Sequence, residues 1–137
     1  MSKRILFTRP DGGVSIIIPA PEITIARALQ DVPADAQNVE VVDADAIPND
    51  RTFRAAWKQE GKVCVECPTK SRAIAHQIRR SKREAEFKPF DEVIAKRLPG
   101  EAEAELARAA IRAKYTALQE QIDACEDTQA LRIAIDK

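Results

Sequence analysis

Between Glu101 and Cys125, Ala104, Ala107, Ile111, Tyr115, Leu118, Ile122 and Cys125 recur at 3-4-4-3-4-3 spacing, close to a heptad. A helix with one such seam must bury it against another helix, because isolated helices gain too little from propensity alone. Glu101, Glu103 and Glu105 suit the positive end of its dipole. Pro99-Gly100 is a turn signal just before it, so an antiparallel partner is expected immediately upstream. Downstream, Asp127 or Thr128 can cap a short tail helix over 128–136 carrying Leu131, Ala134 and Ile135.

The expected partner lies in 69–98. Ile74, Ile78, Ser81 and Ala85 form a stripe, continued with a phase shift by Phe87, Phe90, Ile94 and Leu98. Pro89 interrupts the pattern, and the spacing predicts a break around Glu86–Lys88.

Residues 1–68 read differently. Lys3–Arg9 and Val14–Ile18 are β-prone runs on either side of Pro10-Asp11-Gly12-Gly13, a hairpin turn. Ile25, Leu29 and Val32 place a short helix in Glu22–Val32, which Pro33 ends. Val39–Asp43 reads as a third strand and Lys62–Cys67 as a fourth. Between them, Asn49 or Asp50 can cap a short helix over Arg51–Lys58, with Phe53 and Trp57 one turn apart and Gly61 ending it. The fold class is therefore α+β: a small antiparallel β-rich part over 1–68, then a helical hairpin and tail helix over 69–137.

Charge is balanced at 22 basic and 22 acidic residues, so bulk electrostatics name no partner. It is segregated, with net −2 over 1–68, +5 over 69–98 and −3 over 99–137. A basic helix beside an acidic one suits an antiparallel pair. An odd cysteine count of three argues against a disulfide framework and for reduced thiols. No apolar run approaches the ~20 residues of a bilayer span, and no signal-peptide stretch follows Met1.

Candidate chemistry is sparse. Cys64-Val65-Glu66-Cys67 is a C-x-x-C, but residues three apart on a strand point to opposite faces. A zinc site would need ligands beyond His76 and the remote Cys125. His76 has no nucleophile motif nearby, and no phosphate-cradling glycine loop is present. No catalytic residue, metal or cofactor is expected, and a binding module is a better reading than an enzyme. Arg79, Arg80, Lys82 and Arg83, within a basic stretch over 70–88, are the candidate anion contacts. A small nucleic-acid-binding regulator using that stretch is the alternative function. Glu84, Glu86 and the lack of interleaved aromatics weigh against it.

Pro48-Asn49-Asp50-Arg51-Thr52-Phe53-Arg54-Ala55-Ala56-Trp57 resembles the P-x-D-R-x-F-R-x-A-W element of small bacteriophage and prophage proteins encoded near tail or tail-fibre genes. The run Glu86–Ile94, the Pro99-Gly100 turn and the Ala-rich helix resemble that group as well. The resemblance implies a tail-associated virion component or a tail-fibre assembly chaperone, acting in the host cytoplasm during assembly or within the virion. Its implied partner is another tail or tail-fibre protein, and no catalytic residues come with it.

Within the element, Arg51, Phe53, Arg54 and Trp57 are the candidate partner contacts, since Trp and Arg dominate interface hot spots. The same residues can instead serve as an anchor, with Trp57 buried and Arg51 or Arg54 paired to Asp43 or Asp45. The helical hairpin is a further surface through which copies of the chain could associate.

Overall fold

The structure, a computed structural model, describes residues 2–136 and divides into two units, Met1–Lys70 and Ser71–Lys137. It is α+β, with antiparallel sheets in the first unit and helices in the second.

The first unit contains β1 (Lys3–Thr8), β2 (Val14–Ile17), α1 (Ile25–Leu29), β3 (Gln37–Asp43), β4 (Trp57–Glu60) and β5 (Val63–Glu66). The main sheet has the order β2-β1-β3. Its central strand holds the unbroken apolar run Ile5-Leu6-Phe7, because both of its faces are covered. Alternation sends Leu6, with Val14 and Val42, into a core with Trp57 and Cys64 of the β4–β5 hairpin. Ile5 and Phe7 go to the opposite face and pack with Ala28 of α1, flanked by Ile17, Val32 and Ala36.

The expected helix over Arg51–Lys58 is replaced by a single 3₁₀ turn, Arg54–Ala56, and Trp57 opens a strand. The cause is pairing that propensity cannot show. Trp57 lies opposite Glu66, Glu60 opposite Val63, and the Ala56 carbonyl accepts from Cys67 N–H at 2.9 Å. Gly61, expected to end a helix, takes φ +60° in the two-residue turn of this hairpin. That is the first central position of a II′-type turn, where glycine is favoured.

The second unit is built from α2 (Pro68–Ala95, whose first three residues belong to the first unit), α3 (Glu101–Ala124) and α4 (Thr128–Ile135). The seam on α3 buries Ala104, Ile111, Tyr115 and Ile122. Phe87 of α2 packs with Ile111 and Tyr115, flanked by Phe90 and Leu118. α4 buries Leu131, Ala134 and Ile135, and Asp127 caps it by accepting from Ala130 N–H at 2.8 Å.

Three expectations for α2 need correction. First, the helix does not break at Glu86–Lys88; it runs unbroken through Pro89. Pro89 and Ala85 are both exposed, so the carbonyl that loses its helical partner faces water rather than a core. Second, the buried line is Ser71, Ala75 and Phe87, while Ser81 and Ala85 are exposed. Ser71 is inward because its hydroxyl accepts from the Thr128 hydroxyl at 3.1 Å, a polar pair that an apolar pattern does not register.

Third, the ion pairs joining α2 to α3 run against the bulk charge. Acids of α2 meet bases of α3, Asp91 with Arg108 at 3.0 Å and Glu86 with Lys114 at 2.9 Å. Two basic side chains of α2 instead serve helix ends. Arg72 donates to the Cys125 carbonyl at 2.7 Å, at the end of α3, and Lys82 donates to Ile135 O at the end of α4. Cations there offset the negative pole of the dipole.

α2 ends in a Schellman-type closure, with Leu98 N–H on Val93 O (2.9 Å), Arg97 N–H on Ile94 O (3.2 Å) and Arg97 left-handed at φ +51°. Among the described residues no helix is long and apolar enough to cross a membrane.

An unbroken α2 with an exposed proline makes Pro89→Ala stabilising. Its urea unfolding midpoint should rise, reflecting a gain of up to about 3 kcal/mol in helix stability. A fall in helicity or midpoint would show that Pro89 marks a real break.

Candidate functional site

The sequence element Pro48–Trp57 folds inward. Asp50 Oδ1 accepts from the Thr52 N–H (2.8 Å) and hydroxyl (2.6 Å), closing an Asx-type turn. Phe53 is fully buried and Trp57 is 1% exposed, so both are core residues of the first unit. Arg54 lies over the Trp57 ring, 4.5 Å from its centroid, and donates from Nη2 to the Val14 carbonyl at 2.8 Å. Asp43, a suggested partner for Arg51 or Arg54, pairs with Lys3 at 2.8 Å. Arg51 is the exposed member of the four, beside a small recess it shares with Arg4, Ile18 and Ile47.

The Val14 carbonyl also accepts from Arg9 Nη1 at 2.8 Å. Arg9 reaches it by crossing Gly13, where a Cβ would sit 2.0 Å from Nη2. Two guanidiniums thus converge on one main-chain oxygen, and the register explains why it is available. Arg9 and Gly13 are hydrogen-bonded across the hairpin turn, so Phe7–Ser15 and Ile5–Ile17 share the next bonds. Val14 and Ile16 therefore turn their main-chain groups to the outer edge of β2. That edge is short, ends near Pro19, and has its first carbonyl taken by Arg9 and Arg54.

The other edge is different. Ala44 N–H donates to Ser2 O, so Val42–Arg4 and Glu40–Leu6 are the hydrogen-bonded pairs between β3 and β1. The N–H and C=O groups of Val39, Val41 and Asp43 point away from β1. Among the described residues the main-chain groups of Val39 and Val41 and the Asp43 N–H have no partner on that outer side, while the Asp43 carbonyl opens the 3₁₀ turn Ala44–Ala46. β3 is seven residues long, lacks Lys and Pro, and leaves Val39 and Val41 39% and 37% exposed. Protected edges are usually short, bulged or studded with lysine. Its one irregularity sits at the near end, where Asn38 is left-handed at φ +54° and its carbonyl accepts from Gln59.

Of the residues that chemistry would use, Cys64 and His76 are engaged structurally. Cys64 sits in the Trp57 core, and burial pushes its thiol up to about 11. Cys67 lies beyond β5, partly exposed, where the N–H groups of Lys70 and Thr69 lower its thiol below the usual range. His76 is held from both sides. Arg79 Nε can only donate, so Nδ1 accepts it (3.3 Å) and Nε2 carries the proton toward Asp123 Oδ1 at 2.7 Å. The nitrogen a general base would use is thereby occupied. Among the described residues no three His, Cys, Asp or Glu side chains gather as a metal ion would require.

Three of the four anion candidates have partners within the second unit. Arg79 serves His76, Lys82 closes α4, and Arg83 stacks 4.7 Å from the Phe87 ring centroid. Arg80 is exposed with no partner among the described residues. The open edge of β3 was not singled out in the sequence. Its signal was present as Val39-Glu40-Val41, an alternation of apolar and acidic residues, but which strand lies at an edge is a property of topology.

No family model, curated protein or solved structure matches this chain.

The two thiols of the C-x-x-C should separate chemically. Brief iodoacetamide treatment at about pH 8, read by mass spectrometry, should modify Cys67 and spare Cys64 until the chain is unfolded. Equal labelling of both in the folded chain would place Cys64 outside the core.

Proposed function

We propose that this chain is a non-enzymatic protein-binding component of a bacteriophage tail, as a tail or tail-fibre assembly chaperone or a tail-associated structural part. It acts in the host cytoplasm during assembly and takes another virion protein along the outer edge of β3. The observation that carries the binding mode is the asymmetry of the N-terminal sheet, with β2 capped by Arg9 and Arg54 and β3 open. Strand addition uses such an edge directly, gaining affinity from the main-chain ladder and selectivity from alternate side chains. The phage setting rests on the resemblance carried by Pro48–Trp57. The burial of Phe53 and Trp57 gives that element an internal task, so Arg51 alone of its four candidate contacts is left well exposed.

Co-expression with the tail and tail-fibre proteins of the same phage should yield a stable complex that copurifies. Val41→Pro should abolish it, because proline at an outward-facing edge position removes a ladder donor without touching the bonds to β1. Failure to bind any tail candidate would contradict the reading.

A further inference from the structure

The charge around β3 narrows what can add to it. Between Arg27 and Arg51 the chain contains no basic residue and six acidic ones: Asp31, Asp35, Glu40, Asp43, Asp45 and Asp50. Three of them lie on β3 or just past it. Glu40 and Asp43 are on the strand, and Asp45 stands in the 3₁₀ turn Ala44–Ala46 that follows. At that end of the strand, Ser2, Asp43, Ala44 and Asp45 line a recess of about 170 Å³. Lys3 answers Asp43; for Glu40 and Asp45 no cationic partner is present among the described residues.

We infer that the segment added to β3 is an extended strand of another protein in which apolar residues alternate with lysine or arginine. Resting on the edge-binding reading above, this supplies the partner's chemistry from the two faces of β3. On the α1 face the new strand meets Val39 and Val41, both exposed aliphatics, and apolar side chains beside them are withdrawn from water. On the other face it meets Glu40, and past Asp43, which ends the valine face, it meets Asp45 at the strand-end recess; cationic side chains are the favoured neighbours there.

The same charges disfavour a second copy of this chain, because pairing β3 with β3 across a two-fold axis would bring together two segments whose charged residues are all acidic. The local acidic charge of this segment also speeds encounter with a basic strand, so association should be fast at low salt and slow as salt rises.

The probe is an acetylated eight-residue peptide alternating valine with lysine or arginine, compared with one alternating valine with glutamate. Anisotropy titration and amide shifts are read on the full chain. The basic peptide should bind, shift the amides of Val39, Val41 and Asp43 most, and weaken with salt. Val41→Pro should weaken it by roughly tenfold or more, equivalent to about 1.4 kcal/mol. Glu40→Lys with Asp45→Lys, which leaves the backbone unaltered, should reverse the preference toward the acidic peptide.

If both peptides shift β3 equally, the basic-partner inference is overturned while the edge-binding reading stands. If neither shifts β3, the edge reading falls as well. Tight binding of the basic peptide that leaves β3 amides unmoved, or concentration-dependent shifts of β3 without peptide, would also overturn it.

Discussion

The first unit depends on one side chain held between a ring and a carbonyl. Arg54 lies on Trp57 and reaches across to the Val14 oxygen, so the β4–β5 hairpin, the main sheet and the outer edge of β2 are joined at one point. Trp57 supplies the largest buried side chain of that core. Without it the hairpin has little to hold, since two-stranded hairpins are marginal by themselves. The guanidinium is partly desolvated there and stands near Arg9 and Arg51, which burial first and these cations after it oppose. Planar stacking and the Val14 hydrogen bond offset that cost, and lysine could not supply both.

From this arrangement follows the asymmetry of the sheet. One edge is short and partly closed by arginines; the other is long, acidic and flanked by exposed valines. The second unit adds a three-helix arrangement whose basic residues are largely spent on helix ends, a histidine and an aromatic ring. A stretch that reads as a phosphate-binding face in one dimension therefore has Arg72, Arg79, Lys82 and Arg83 engaged within its own unit.

How much was legible follows from which forces act locally. The α3 seam, the Pro10–Gly13 turn and the Asp127 cap are local patterns, and they fold as their spacing requires. Trp57 shows the limit. Its spacing from Phe53 suits a helix, yet pairing with Glu66, nine residues on, wins because the ladder and the core form together. The phase of α2 was hidden for a related reason. Ser71 is buried through Thr128, and no apolar count predicts a hydroxyl pair. Pro89 does not break α2, since an exposed carbonyl can lose its helical donor to water at modest cost. The candidate site was the least legible part. Val39 and Val41 announce a strand, but its edge position arises only when β1 pairs with β2 on one side and β3 on the other.

The central claim is that β3 presents an unpaired main-chain edge, and amide hydrogen exchange along that strand tests it most directly. Glu40 and Val42, whose N–H groups bond to β1, should be protected, while Val39, Val41 and Asp43 exchange at rates near those of an unstructured chain. This alternation is the expected result. Uniform protection of all five amides would mean that the edge is covered in the folded protein, and the account of how it binds would be wrong.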